Sequence, residues 1–123
     1  MVETNFMAFK FENLQVWQKA LDLTDEVSLL TKKSFPKDEL FILTSQIKRA
    51  ADSVVLNIAE GCTGQTNPVF INFLNYSLRS AVEVVSCLFI AKRRNLISED
   101  DFKRLYSEYE ALTKMITALR NTL

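Results

Sequence analysis

Cys62 and Cys87 are the two thiols of this 123-residue chain, and thiols are where redox or metal chemistry would first be sought. Neither belongs to a Cys-x-x-Cys pair, so no zinc ligation or thioredoxin-type exchange is indicated. One disulfide is arithmetically possible. A core of this size does not need it, and the reading adopted is two reduced thiols in a cytoplasmic protein. The chain has no histidine. Imidazole general bases, His-containing triads, His zinc sites and the Glu-x-x-His di-iron bundle are therefore all excluded. Its two glycines cannot build a GxGxxG or GxxxxGK phosphate loop. No carboxylate pair falls on a core position. The chemistry expected is that of a non-enzyme with neither metal nor organic cofactor.

The polar residues that remain invite structural or binding roles. Glu60 closes a helical stretch, where a carboxylate opposes the helix dipole by about 0.3–1 kcal/mol. Asn57 lies one turn earlier. The pair reads as a polar lock on the helix end and the loop after it, with a small binding site as the alternative. Glu83 follows Arg79 by one turn and reads as a solvated i,i+4 pair, or else as an inter-subunit bridge. Basic pairs and triplets stand at Lys32-Lys33, Lys48-Arg49, Lys92-Arg93-Arg94 and Lys103-Arg104. Lys32, Lys33, Lys92, Arg93 and Arg94 fall at one end of an antiparallel bundle and form a candidate nucleic-acid contact. Glu99, Asp100 and Asp101 fall at that end too and dilute it. Fifteen basic residues balance fifteen acidic ones, so any polyanion binding is expected to be weak and salt-sensitive. In sequence no aromatics interleave with the basic residues as a base-stacking platform would require.

The elements that must position these residues are helices. Every Gly and Pro falls at Pro36 or within Gly61–Pro68, and these residues cost about 1 and 3 kcal/mol inside a helix. Four helices are predicted, over about 14–32, 37–60, 68–94 and 99–121. Asn13 caps the first, Gly61 stops the second, Asn67-Pro68 opens the third and Ser98 caps the fourth. Residues 1–10 read as an extended arm, Phe9 and Phe11 alternating with Lys10. In the fourth helix Phe102, Leu105, Tyr109, Leu112, Ile116, Leu119 and Leu123 step by three and four, a sustained seam. In the second, Leu40, Leu43, Thr44, Ile47, Ala51, Val54, Val55 and Ile58 share a side. Four long helices with short loops predict an all-α, antiparallel up-down-up-down four-helix bundle over 11–123. No apolar run approaches the ~18 residues of a membrane span, and no secretory signal opens the chain.

Two of these helices carry more apolar surface than a bundle uses. The third spreads Phe70, Ile71, Leu74, Leu78, Ala81, Val82, Val85 and Phe89 over half its circumference, against the ~100° stripe of an ordinary surface helix. The first does the same. The second adds Ile42, Arg49 and Leu56, seven apart, opposite its core side. Ile42, Arg49, Leu56, Ile71, Leu78 and Val82 are the candidate oligomer interface.

Several stretches resemble the four-helix-bundle family encoded in intervening sequences of bacterial large-subunit ribosomal RNA genes. Phe11–Ala20 (FENLQVWQKA) is similar to its opening motif. Phe35–Gly61 (FPKDELFILTSQIKRAADSVVLNIAEG) is similar to its most specific block, and Phe73-Leu74 and Glu83 continue the match. The resemblance runs from about Phe11 to Leu119. It implies a left-handed antiparallel bundle and a homo-oligomer, the relatives forming pentameric rings. A related branch, the accessory protein of diversity-generating retroelements, engages nucleic acid and a reverse transcriptase through a basic surface. Here Cys62-Thr63-Gly64-Gln65 stands where the family has an aromatic, a small residue and arginine, and Arg79-Ser80 stands for its Gly-Ser pair. The expected function is a non-enzymatic oligomeric interaction or scaffold protein that binds itself. A weak RNA- or DNA-binding accessory role is the alternative. No membrane partner is expected.

Overall fold

The computed structural model describes residues 8–63 and 66–123. Helix α1, Gln15–Ser34, buries Val16, Ala20, Leu23, Val27, Leu30 and Thr31, the three-to-four spacing of one helical face. Helix α2, Ser45–Gly61, buries Ile47, Ala51, Val54, Val55 and Ile58. Helix α3 spans Asn67–Arg93 and α4 spans Glu99–Asn121. The α4 seam lies where its spacing places it. Phe102, Leu105, Tyr109, Leu112 and Ile116 are buried, and Leu119 and Leu123 pack on the core from its margin.

Side-chain ladders fix the helix directions. Between α1 and α4, Lys19 pairs with Glu108, Glu26 with Arg104 and Lys33 with Asp101. Ascending numbers on one helix meet descending numbers on the other. Gln46 with Glu83, Ser53 with Ser80 and Val54 with Ser77 do the same for α2 and α3. Asn75 with Arg120 and Lys92 with Glu99 do so for α3 and α4. Each helix packs on its sequence neighbours, and α4 closes back onto α1. The result is the antiparallel up-down-up-down bundle.

The α2–α3 pairing is the most extensive, and it is built on small residues. The fully buried Ser77 donates its hydroxyl to the Val54 carbonyl at 2.9 Å. Gly61 sits against the start of α3. A Cβ there would lie 2.7 Å from the Phe73 Cβ and 2.9 Å from the Phe70 ring. Gly61 is thus required for close approach. The helix ends after it at Cys62, whose backbone stays in the ordinary negative-φ half.

Several predicted boundaries shift. Asn13 does not cap α1, because Lys10–Asn13 form a 3-10 turn and Leu14 becomes the half-in residue. That turn also replaces the extended reading at Lys10 and Phe11. Phe9 remains extended, its N–H held by the Glu12 carboxylate at 3.1 Å. The arm reading for residues 1–7 falls outside the described residues. Thr66, not Asn67, caps α3 by accepting the Val69 N–H, and Pro68 sits one position inside. Ser98 caps α4 by accepting the Asp101 N–H at 3.0 Å. After α3, Asn95 turns left-handed at φ 59° and the Leu96 N–H returns to the Ala91 carbonyl at 2.9 Å, a Schellman-type stop.

The largest departure is at the start of the second helix. Lys37–Glu39 wind as a 3-10 turn and Leu40–Thr44 as a π turn before α2 proper begins. A π turn holds about one residue more than an α turn. The register therefore slips, Leu43 and Thr44 are buried side by side, and Leu40, expected in the core, is 51% exposed. The membrane reading also changes. Asn67–Arg93 is long and apolar enough to cross a bilayer by length and composition. In the bundle its inner side forms the core, and the rest of its apolar surface faces outward or toward α4.

Candidate self-association surfaces

The π turn at the head of α2 decides what that helix shows to solvent. It turns Phe41 and Ile42 outward, at 89% and 60% exposure. Two turns on from Ile42 stands Arg49, and two turns further Leu56, 63% exposed. The heptad spacing read in the sequence is thus a real outward ridge. Arg49 donates to the Ser45 hydroxyl at 3.1 Å and has no carboxylate within ion-pair distance among the described residues. Phe41, Ile42 and Arg49 edge a groove of about 510 Å³ between α2 and α3. Glu83 lines it from the other side and accepts from the Gln46 amide at 3.2 Å. The expected Arg79–Glu83 pair does not form, since Arg79 lies over the Tyr76 ring at 5.5 Å instead.

A second unpartnered surface lies between α3 and α4. Val82, Val85, Tyr106, Glu110 and Thr113 line a groove of about 190 Å³ floored by Ala81 and Tyr109. Val82 is 65% exposed at its wall. Phe89, Phe102 and Tyr106 continue it toward the end of α3, with ring centroids 5.0–6.1 Å apart. The six residues marked in the sequence as one interface therefore divide. Ile42, Arg49 and Leu56 form the α2 ridge, Val82 belongs to the α3–α4 groove, and Leu78 is spent on the chain's own core. Ile71 is half-buried. Phe41, Tyr106 and Glu110 were missed, and Val85, read as part of the broad apolar face of the third helix, was not placed in the interface. Phe41 needed the π turn, and Tyr106 and Glu110 flank the α4 seam on the α3 side, visible only once α3 is in place.

Among the described residues Asn57 and Glu60 make no lock on the helix end, and positions 64–65 of the loop in that reading lie outside the described residues. Asn57 reaches back one turn, donating to the Ser53 carbonyl at 2.9 Å and the Ser53 hydroxyl at 3.0 Å. Ser53 in turn accepts from Ser80 on α3, so Asn57 joins the α2–α3 seam. Its amide prefers an acceptor already fixed by the helix to a loop beyond it. Glu60 is exposed and makes no side-chain hydrogen bond or ion pair among the described residues.

The basic end is largely neutralised. Lys33 meets Asp101 at 3.0 Å, Lys92 meets Glu99 at 3.4 Å and Arg94 meets Glu39 at 3.5 Å. The Lys33 hydrogen bond is the main cause holding the Asp101 carboxyl below its ordinary range. Lys92 also lies over the Phe102 ring, 4.5 Å from its centroid. Lys32 and Arg93 are left exposed without a carboxylate partner among the described residues. Cys87 is buried, and that burial pushes its thiol pKa up, with Glu83 adding to it. A raised thiol is a poor nucleophile. Cys62 is a half-buried free thiol. Among the described residues no three Cys, Asp or Glu side chains cluster as metal ligands would.

A closed antiparallel four-helix bundle with two apolar outer surfaces defines the class of protein. The family model described as 23S rRNA-intervening sequence protein matches residues 12–118, and the chain belongs to that family. A search of curated proteins gives no match. Among solved structures, the chain is similar to a protein with unknown function from the S23 ribosomal protein family of Bacteroides thetaiotaomicron. That likeness has a TM-score of 0.79 at 24% identity, covering 86% of this chain and 95% of the other. At such identity it is a likeness of fold.

Proposed function

We propose that this family member is a non-enzymatic interaction protein that works as a homo-oligomer. The observation that carries the reading is the α2 ridge, with Phe41, Ile42 and Leu56 each at least 60% exposed around a cation that has no acid within ion-pair distance among the described residues. A single exposed apolar residue needs no explanation, but a line of them beside a groove marks a contact surface. A specific contact covers ~800 Å² on each partner, and burial of its apolar part at ~25 cal/mol per Å² opposes the entropy of association. Zero net charge removes long-range repulsion between copies. The family resemblance suggests a ring of five.

A weak nucleic-acid-binding role draws less support. Three of its five candidate cations are engaged by carboxylates, and only Lys32 and Arg93 remain to release counterions from phosphates.

Light scattering of the purified chain at micromolar concentration tests the reading. The expected mass is a multiple of the 14.1 kDa chain, and a single-chain mass overturns it.

A further inference from the structure

At about 510 Å³ the groove between α2 and α3 has the size of a small-molecule site. Arg49 and Glu83 both line it, yet no ion pair joins them among the described residues. Each is steadied by a neutral neighbour instead, Arg49 by the Ser45 hydroxyl at 3.1 Å and Glu83 by the Gln46 amide at 3.2 Å. Other grooves differ in this respect. Between α1 and α4 both signs are present, but Lys19 meets Glu108 and Arg104 meets Glu26. The α3–α4 groove carries an acid alone, and the groove at the end of α3 carries arginines alone. The spare hydrogen-bonding capacity also has a direction. Arg49 uses one of its five N–H donors in the bond to Ser45. Ser53, which lines the groove one turn beyond Arg49, accepts from Asn57 and from Ser80. Both lone pairs of its hydroxyl are then filled, and what it has left to offer is its hydrogen. Glu83 accepts from Gln46 through Oε2, which leaves Oε1 for a cation.

The geometry points to a binding site for an apolar dipeptide with both ends free, its carboxylate on Arg49 and Ser53 and its ammonium on Glu83. Charge selects this class. A simple anion is repelled by Glu83 and a simple cation by Arg49, whereas a zwitterion satisfies both walls with charge-assisted hydrogen bonds. Length selects further. Arg49 and Glu83 stand beyond ion-pair distance of each other. A free amino acid carries both charged groups on one carbon, while two extended residues span roughly 7 Å. Phe41 and Ile42, 89% and 60% exposed at the lip of the groove, supply the apolar surface on which a side chain of the dipeptide rests. The site is built within one chain and does not rest on the self-association reading.

Titration of the full chain with alanyl-leucine, followed by NMR, tests this. Saturable shifts of the Arg49, Ser53 and Glu83 backbone amides are expected, with a Kd of about 1 mM, as suits a ligand of about fourteen heavy atoms. The N-acetyl dipeptide lacks the ammonium and the dipeptide amide lacks the carboxylate. Each is expected to bind about tenfold more weakly than the free dipeptide. Arg49→Gln is expected to bind the dipeptide and its amide alike, and Glu83→Gln to bind the dipeptide and its N-acetyl form alike. Both side chains are exposed, so helicity by circular dichroism is expected to stay at the wild-type level. Should either variant lose helicity, the blocked dipeptides still test the charges on the wild-type chain. The absence of a saturable shift at tens of millimolar dipeptide overturns the site. Blocked forms that bind as tightly as the free dipeptide overturn it as well. Light scattering of the same samples reads self-association separately, so the two readings stand or fall apart.

Discussion

Gly61 shows how much one missing methyl group can matter. The residue ends the most specific block of the sequence, Phe35–Gly61, and its position at a helix end suggests a conformational role. Its surroundings assign a steric one, since the added Cβ would overlap the Phe73 Cβ at 2.7 Å. That atom lies next to the backbone of α3 and cannot swing aside, so the helix pair must part. Gly61→Ala is expected to cost about 1–3 kcal/mol despite the better helix propensity of alanine, read as a lowered midpoint in urea. Tyr109 poses the opposite case. The residue is 1% exposed and fills the core, while its hydroxyl is buried without a partner among the described residues. Tyr109→Phe removes that orphan and is expected to gain about 1 kcal/mol at neutral pH. Burial is the main cause, and Asp52 a second, holding the phenol pKa above its ordinary value of 10.0. The folded state therefore keeps this proton when the unfolded chain gives it up. The contribution of Tyr109 to stability is constant below pH 10.0 and is lost as pH rises above it. Urea unfolding at neutral and alkaline pH should show that decline in the wild type and a shallower one in the Phe variant.

At the scale of elements, the helices follow from patterns that local physics reads well. The three-four spacing of α4 and the dipole-matched Glu99-Asp100-Asp101 after Ser98 were legible because each rests on neighbours within one turn. The stop after α3 has an equally local cause. Asn95 takes the left-handed conformation at φ 59° that lets Leu96 return to Ala91, and asparagine tolerates this where most residues do not. Asn95→Ala is expected to lower stability by about 1 kcal/mol, and Asn95→Gly to leave it level or raise it by a few tenths. Thermal melting of the two variants checks the order. The π turn at Leu40–Thr44 was not legible. Strict α spacing from Ile47 returns Leu40 to the core, and nothing in LFILT announces the extra residue. The slip answers the junction as a whole, where Thr44 as well as Leu43 is buried and Glu39 is drawn to Arg94 at the end of α3.

At the scale of the whole molecule, the bundle has more apolar surface than one core consumes, and tertiary packing sorts the surplus. The broad face of α3 supplies the core through Leu74, Ala81, Val84 and Leu88, and a groove wall through Val82. α2 keeps its ridge because no fifth helix covers it. The charged residues are sorted as well. Lys19, Glu26, Lys33, Asp101, Arg104 and Glu108 close α1 onto α4 as a ladder, and the basic end loses most of its free charge to Glu39, Glu99 and Asp101. Among the described residues Arg49, with only the Ser45 hydroxyl, stands outside these networks.

Composition, helix periodicity and the sparse punctuation were enough to determine four antiparallel helices, most of the core and the outward heptad of α2. Each depends on contacts within a few residues or on the exclusion of Gly and Pro from helix interiors. Only the tertiary structure decided that Ile42 and Val82 lie on different surfaces, that Asn57 binds Ser53, and that Lys33, Lys92 and Arg94 are paired. A wheel drawn on one helix ranks residues by angle around that helix alone. Which side meets a neighbour, and which faces water, is set by the neighbour.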